Sequence, residues 1–279
     1  MPGTLYIVAT PIGNLEDITL RAIRTLKDVD IIAAEDTRHT QTLLRHFTIN
    51  TPLTSYHDHN ERAKTGQVVA RLERGESVAL VSDAGTPGIS DPGYRLVLEA
   101  TRLGIRVVPI PGPTALIAAL SVSGLPTDGF NFRGFLPARK RERRSKLQEL
   151  RLERYSIVVY ETPHRLKESL DDIREILGDR RMVMGREITK IHEEFLRGRI
   201  SEVIAEVSRR EIRGEVTLII EGGSDVDPPS EEALREEIAK LLADGLRVKE
   251  VAEVLGEKYG YSKRQIYGLA MDQDRNFKC

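Results

Sequence analysis

The sequence predicts an α/β protein of two lobes with a small all-helical module behind them. Strand–turn–helix units recur from Leu5 onward, the pattern of a mainly parallel sheet covered on both faces. The plan restarts at Phe130 with an aromatic strand and a basic run, and after Gly222–Pro229 no strand pattern survives. We therefore expect an N-terminal α/β lobe at 1–117, a second α/β lobe at 118–222, a linker at 223–230 and a helix-turn-helix-like module at 231–279. A chain of 279 residues is about the length of two domains.

Leu5 to Ala9 is a short apolar strand that ends at the turn Thr10-Pro11-Ile12-Gly13-Asn14. A helix is expected from about Glu16 to Lys27, where Leu20, Ile23 and Leu26 recur at helical spacing. Val29 to Ala34 repeats the strand, Glu35-Asp36-Thr37-Arg38 follows its carboxyl end, and His39 to Phe47 reads as a helix. A strand near Leu53, the polar turn Tyr56 to Asn60 and a helix from about Glu61 to Arg74 form the third unit.

Val78 to Val81 is a buried strand, and the loop after it organises the chain. Gly85, Pro87, Gly88, Pro92 and Gly93 crowd into that loop, so it is tight and pre-shaped. A loop of this kind at the carboxyl end of a parallel strand is where open α/β sheets bind ligands. Ile105 to Ile110 is the next strand, and Pro111-Gly112-Pro113-Thr114 introduces the apolar helix Ala115 to Val122.

In the second lobe Phe130, Phe132 and Phe135 alternate as on a half-buried strand, and we expect these rings in the core rather than stacking on a ligand. Tyr155 to Tyr160, Arg181 to Met184, Glu193 to Gly198 and Val216 to Glu221 are further strands, with a helix over Pro163 to Leu177. Glu231 to Ala243, Val248 to Gly256 and Ser262 to Met271 read as three short helices.

Composition excludes several classes. Hydrophobic residues make up 40% and charged ones 30%, ordinary for a globular protein, and 42 Lys plus Arg balance 43 Asp plus Glu. The single cysteine, Cys279, allows no internal disulfide. No apolar run approaches a bilayer span, and the expected location is the cytoplasm. His57 and His59 flank Asp58, yet without cysteines or a helical His-x-x-x-His pair no metal site is expected.

Four segments carry a resemblance: Ala9 to Ala22 (ATPIGNLEDITLRA), Ser82 to Gly93 (SDAGTPGISDPG), Pro111 to Ala115 (PGPTA) and Val158 to Leu166 (VVYETPHRL). Together they resemble the tetrapyrrole-methylase-like class of S-adenosylmethionine-dependent methyltransferases. Glu35 to Arg38, Ser55 to Asn60 and Gly134 to Pro137 are similar to its ribosomal RNA small-subunit methyltransferase I family. The resemblance covers nearly the whole chain. It implies two α/β lobes with the cofactor between them, a homodimer, and 2′-O-methylation of a cytidine ribose in the decoding region of 16S rRNA in the small ribosomal subunit. Carried across by position, the cofactor residues are Pro11, Ile12 and Gly13, then Ala84, Gly85, Thr86, Ile89 and Ser90, then Thr114 and Ala115, with Glu161 from the second lobe. The first turn departs from the class pattern, in which tetrapyrrole enzymes carry more glycine and an aspartate, and this disfavours a tetrapyrrole substrate.

Methyl transfer from a sulfonium is an in-line displacement that needs alignment and dryness but no metal. A ribose hydroxyl also needs a proton acceptor, and the candidates at strand ends are Glu35, Asp36, Arg38 and His57. Glu35 and Asp36 have an alternative role as helix caps. The run Arg139, Lys140, Arg141, Arg143, Arg144 and Lys146 is the candidate RNA contact, against the alternative of a solvated helix face. Two competing readings stand beside RNA methylation: a small-molecule or tetrapyrrole methylase, and a non-catalytic RNA-binding assembly factor.

Overall fold

The computed structural model describes residues 1–223, 231–259 and 265–271, without the side chains of residues 257 and 258. Most of the expected linker, and Lys263 and Arg264 of the last expected helix, lie outside the described residues.

The first sheet contains β1 (Thr4–Val8), β2 (Ile31–Ala34), β3 (Leu53–Ser55), β4 (Val78–Val81) and β5 (Arg106–Ile110), all parallel, in the order β3-β2-β4-β1-β5. Alternate residues of its strands serve opposite faces. Ile32, Ala34, Ala79 and Val81 pack with α1 (Leu20–Asp28) and α2 (Thr37–His46), while Ile31, Ala33, Val78 and Leu80 pack with α3 (Glu61–Glu73) and α4 (Tyr94–Arg102). The chain leaves β1 towards β2 and leaves β4 towards β5, in opposite directions across the sheet. The topological switch therefore falls between β1 and β4, where such sheets open a crevice.

The helix expected from Glu16 begins later. Asn14 accepts from the Glu16 amide and closes a short 3₁₀ turn over Leu15–Asp17, and Ile18 is extended. Thr19 then accepts from the Ala22 amide and starts α1. Two polar side chains competing for backbone donors divide what periodicity reads as one helix.

The second sheet is mixed. β6 (Phe130–Phe135), β7 (Ser156–Glu161), β8 (Arg181–Arg186), β9 (Glu194–Arg199) and β10 (Val216–Ile220) lie in the order β6-β7-β10-β8-β9, and only the β6–β7 pair is parallel. One face is covered by α6 (Lys140–Glu149), α7 (Leu166–Leu177) and α8 (Ile200–Ser208). On the other, Val158, Val183 and Ile219 pack with Leu116 and Leu120 of α5 (Ala115–Ser121) and with Ile12 from the first lobe. The two sheets thus share a core, and α5 joins them.

Later in the chain α9 (Glu231–Ala243), α10 (Val248–Tyr259) and a helical segment at 265–271 enclose their own cluster, including Leu234, Ile238, Val251, Leu255 and Ile266.

Candidate active site

The loops after β1, β4 and β5 and the end of β7 converge on a cleft of about 480 Å³ between the lobes. Thr10 and Gly85 exchange backbone hydrogen bonds (2.9 and 3.0 Å), which zip the first turn to the central loop across the switch point. Gly85 sits at φ +80°, a conformation that costs a side-chain-bearing residue strain. Ser90 holds a positive φ of 64°, and its hydroxyl lies against Gly134 at the other lip.

Most of the residues expected to hold the cofactor meet here. Ile12, Ala84, Gly85, Thr86, Ile89, Ser90, Thr114, Ala115 and Glu161 all line the cleft. Pro11 and Gly13 do not. Gly13 belongs to the contact between lobes: an added Cβ would stand 2.4 Å from Lys190 Cγ and 2.9 Å from Thr189 Oγ1, and the Asn14 amide donates to that hydroxyl. Glu161 contributes mainly its place in the wall. Its carboxylate is fully buried and accepts from the Thr162 amide (2.7 Å) and the Ser169 hydroxyl (2.6 Å), while Arg165 pairs with it at 2.8 Å.

Of the catalytic candidates, only Glu35 lines the cleft. Asp36 is a cap: it accepts from the Arg38 amide at 2.8 Å and also binds the Arg38 guanidinium, which holds its carboxyl well below the usual range. Arg38 is 90% exposed and directed to that pair. His57 is held by Asn60 through both its amide and Nε2, outside the lining.

Sequence reasoning missed the rest of the acidic wall, although Asp83 and Asp91 lie inside the loop it singled out. Asp83 accepts from the Asp36 amide at 2.9 Å and stands with Glu35 and Asp91 on one side of the cleft. Burial raises the Glu35 carboxyl. Burial, with the charge of Glu35 next, pushes Asp91 up to about 7. A carboxyl raised from 3.8 favours the folded state when protonated, so its ionisation destabilises the empty protein as pH rises towards 7. Asp91→Asn is therefore expected to be more stable than the parent above about pH 7, with the difference vanishing towards pH 3.8. Urea denaturation across that range checks it.

Phe135 is a second omission and a correction. A bulge between Phe132 and Phe135 breaks the strand alternation. Phe132 remains half-buried on Tyr160, but Phe135 is 51% exposed and lines the cleft edge-on to Tyr160, with ring centroids 5.6 Å apart. It is a cleft residue and not a core one.

The basic run divides. Arg143 is buried, with Nε 2.8 Å from Asp172 and Nη2 3.5 Å from Glu168, so it cannot face RNA. Arg144 bridges Asp172 and Glu175, which makes it a structural cation as well. Lys146 pairs with Glu149, and Arg139 with Glu142 at the surface. Lys140 and Arg141 are exposed. Helical periodicity separates Arg143 and Leu147, which face the core, from Arg141 on the opposite side, while Lys140 is exposed as the first residue of the helix.

Two α/β lobes around such a cleft define a class of protein. The chain belongs to the tetrapyrrole (corrin/porphyrin) methylases, whose family model matches residues 4–204. A crystal structure of a uroporphyrin-III C-methyltransferase from Thermus thermophilus, complexed with S-adenosylhomocysteine, shares the fold with a TM-score of 0.55 at 21% identity, over 78% of this chain and 97% of that one. Full-length similarity leads to one branch. The chain is 50% identical over 273 residues to the ribosomal RNA small subunit methyltransferase I of Synechocystis sp. (97% of this chain, 98% of the relative). It is 49% identical over 276 residues to that of Escherichia coli O157:H7 (97% and 96%).

Proposed function

We propose that this chain transfers the methyl group of S-adenosylmethionine to the 2′-hydroxyl of a cytidine ribose in 16S rRNA of the small ribosomal subunit, in the cytoplasm and as a homodimer. The observation that carries the reading is the cleft itself: a rigid Gly-Pro loop at the switch point of a parallel sheet, closed from above by a second lobe. The residues present suit the cofactor. The cleft has the size of a small-molecule site. Ile12, Ala84, Ile89 and Ala115 offer apolar surface to an adenosyl group, and Glu35, Asp83 and Asp91 offer negative charge to a cation. When bound, S-adenosylmethionine supplies an activated methyl on a sulfonium.

The chain's own groups would do the remaining work. The Thr10–Gly85 zipper and the Ser90–Gly134 contact fix the two lips, which is how alignment is held before reaction. Glu35 and Asp91, raised by burial, are better proton acceptors than free carboxylates and are our candidates for the ribose proton. Phe135 gives a π-face beside the cleft for a base turned out of its stack. No helix among the described residues is long and apolar enough to cross a membrane.

A small-molecule methylase would need neither the exposed cations at Lys140 and Arg141 nor the helical module after residue 231. Calorimetric titration with S-adenosylmethionine is expected to show a saturable site. Absence of binding would contradict the enzyme reading and favour an assembly factor.

A further inference from the structure

We infer that RNA phosphates flanking the target nucleotide run along a basic groove between the start of α7 and the loop at 209–214. The inference rests on the RNA reading above and deepens it. The groove measures about 770 Å³ and shares Pro163 and Gly214 with the cleft, so the two are adjacent. Its rim carries Lys167, Arg209, Arg210 and Arg213, and among the described residues its only lining carboxylate is Glu211. A ribose methylated inside a polymer enters the cleft with a phosphate on either side. The RNA strand must therefore leave along the surface, and a cationic furrow at the mouth is the electrostatic match.

The state of these cations differs from that on the inner side of α6. Lys167 is exposed and makes no ion pair among the described residues. Arg209 pairs with Glu206 and Arg213 with Glu211 across largely solvated surfaces, with the arginines 72% and 79% exposed. Such pairs are weak in water and exchange readily for phosphate. The loop beneath them is anchored, since Ile212 is buried in the core of the second lobe and Arg186 donates to the Arg213 carbonyl at 3.2 Å. The charges thus stand on a fixed support.

The test is the triple variant Lys167→Ala, Arg209→Ala, Arg213→Ala in the full chain. Binding to naked 16S rRNA and to assembled small subunits is measured across a salt series, alongside S-adenosylmethionine affinity and thermal unfolding. The expected result is an unchanged melting temperature, unchanged cofactor affinity and weaker RNA binding. The slope of log affinity against log salt should fall by about 0.7–0.9 for each phosphate no longer neutralised. An unaltered slope overturns the groove while leaving the RNA reading intact. Normal binding to naked RNA with impaired binding only to assembled subunits would assign the groove to an acidic ribosomal protein and overturn the inference too. Failure of the parent protein to bind either form would remove the RNA reading itself.

Discussion

Gly85→Leu is expected to abolish cofactor binding while the protein stays folded. The backbone at residue 85 has φ +80° and forms both hydrogen bonds to Thr10, so it cannot relax without unzipping the two loops. An added Cβ would meet Ile12 Cγ2 at 3.6 Å, ordinary contact, which leaves the folded core tolerable. The longer leucine side chain, however, stands where the ligand must lie, because Gly85 and Ile12 both line the cleft. Positive φ costs a non-glycine residue about 1–3 kcal/mol. Steric exclusion adds to that, and we expect affinity to fall by about 100-fold or more. Titration with S-adenosylmethionine reads the effect, and a circular dichroism melt separates it from unfolding. Parent-like affinity in this variant would remove the loop from the binding site.

Asp172→Ala is expected to be the most destabilising single change in the second lobe. Its carboxylate accepts from Arg143 Nε at 2.8 Å and from Arg144 Nη1 at 2.9 Å, with Asp172 and Arg143 side chains 4% and 1% exposed. Removing one member of a buried pair strands the other charge, at a cost of about 3–5 kcal/mol. Arg141→Ala, on the exposed side of the same helix as Arg143, should change stability by about 0.5 kcal/mol or less. Denaturant unfolding of the two variants compares them. Equal stabilities would return Arg143 to the surface and undo the division of the basic run.

The fold was legible in the sequence wherever one period dominated. β2 and β4 are buried on both faces, so their unbroken apolar runs read plainly as strands. The Gly-Pro loop of the cleft was legible because glycine and proline shape backbone conformation locally, whatever surrounds them. The features that escaped depended on contacts distant in sequence. Asp91 becomes a raised acid of the cleft because folding buries it, with Glu35 and Asp83, from the ends of β2 and β4, set beside it. Phe135 leaves the core because of a bulge that no alternation pattern announces. Arg143 and Arg141 differ by two positions, and helix rotation alone sends one to Asp172 and the other to solvent. Asp36 looked equally suited to chemistry and to capping, and its hydrogen bonds to Arg38 put it outside the cleft.

The central claim, methyl transfer to a ribose of small-subunit RNA in the interlobe cleft, is met most directly by one measurement. Small subunits and naked 16S rRNA lacking the modification are incubated with the protein and methyl-labelled S-adenosylmethionine, and the product is mapped by its resistance to alkaline cleavage. Label is expected in 16S rRNA at one cytidine whose 3′ phosphodiester survives alkali, and none with Gly85→Leu. Label on a base, label only in a small molecule, or no transfer by a protein that binds the cofactor would contradict the claim.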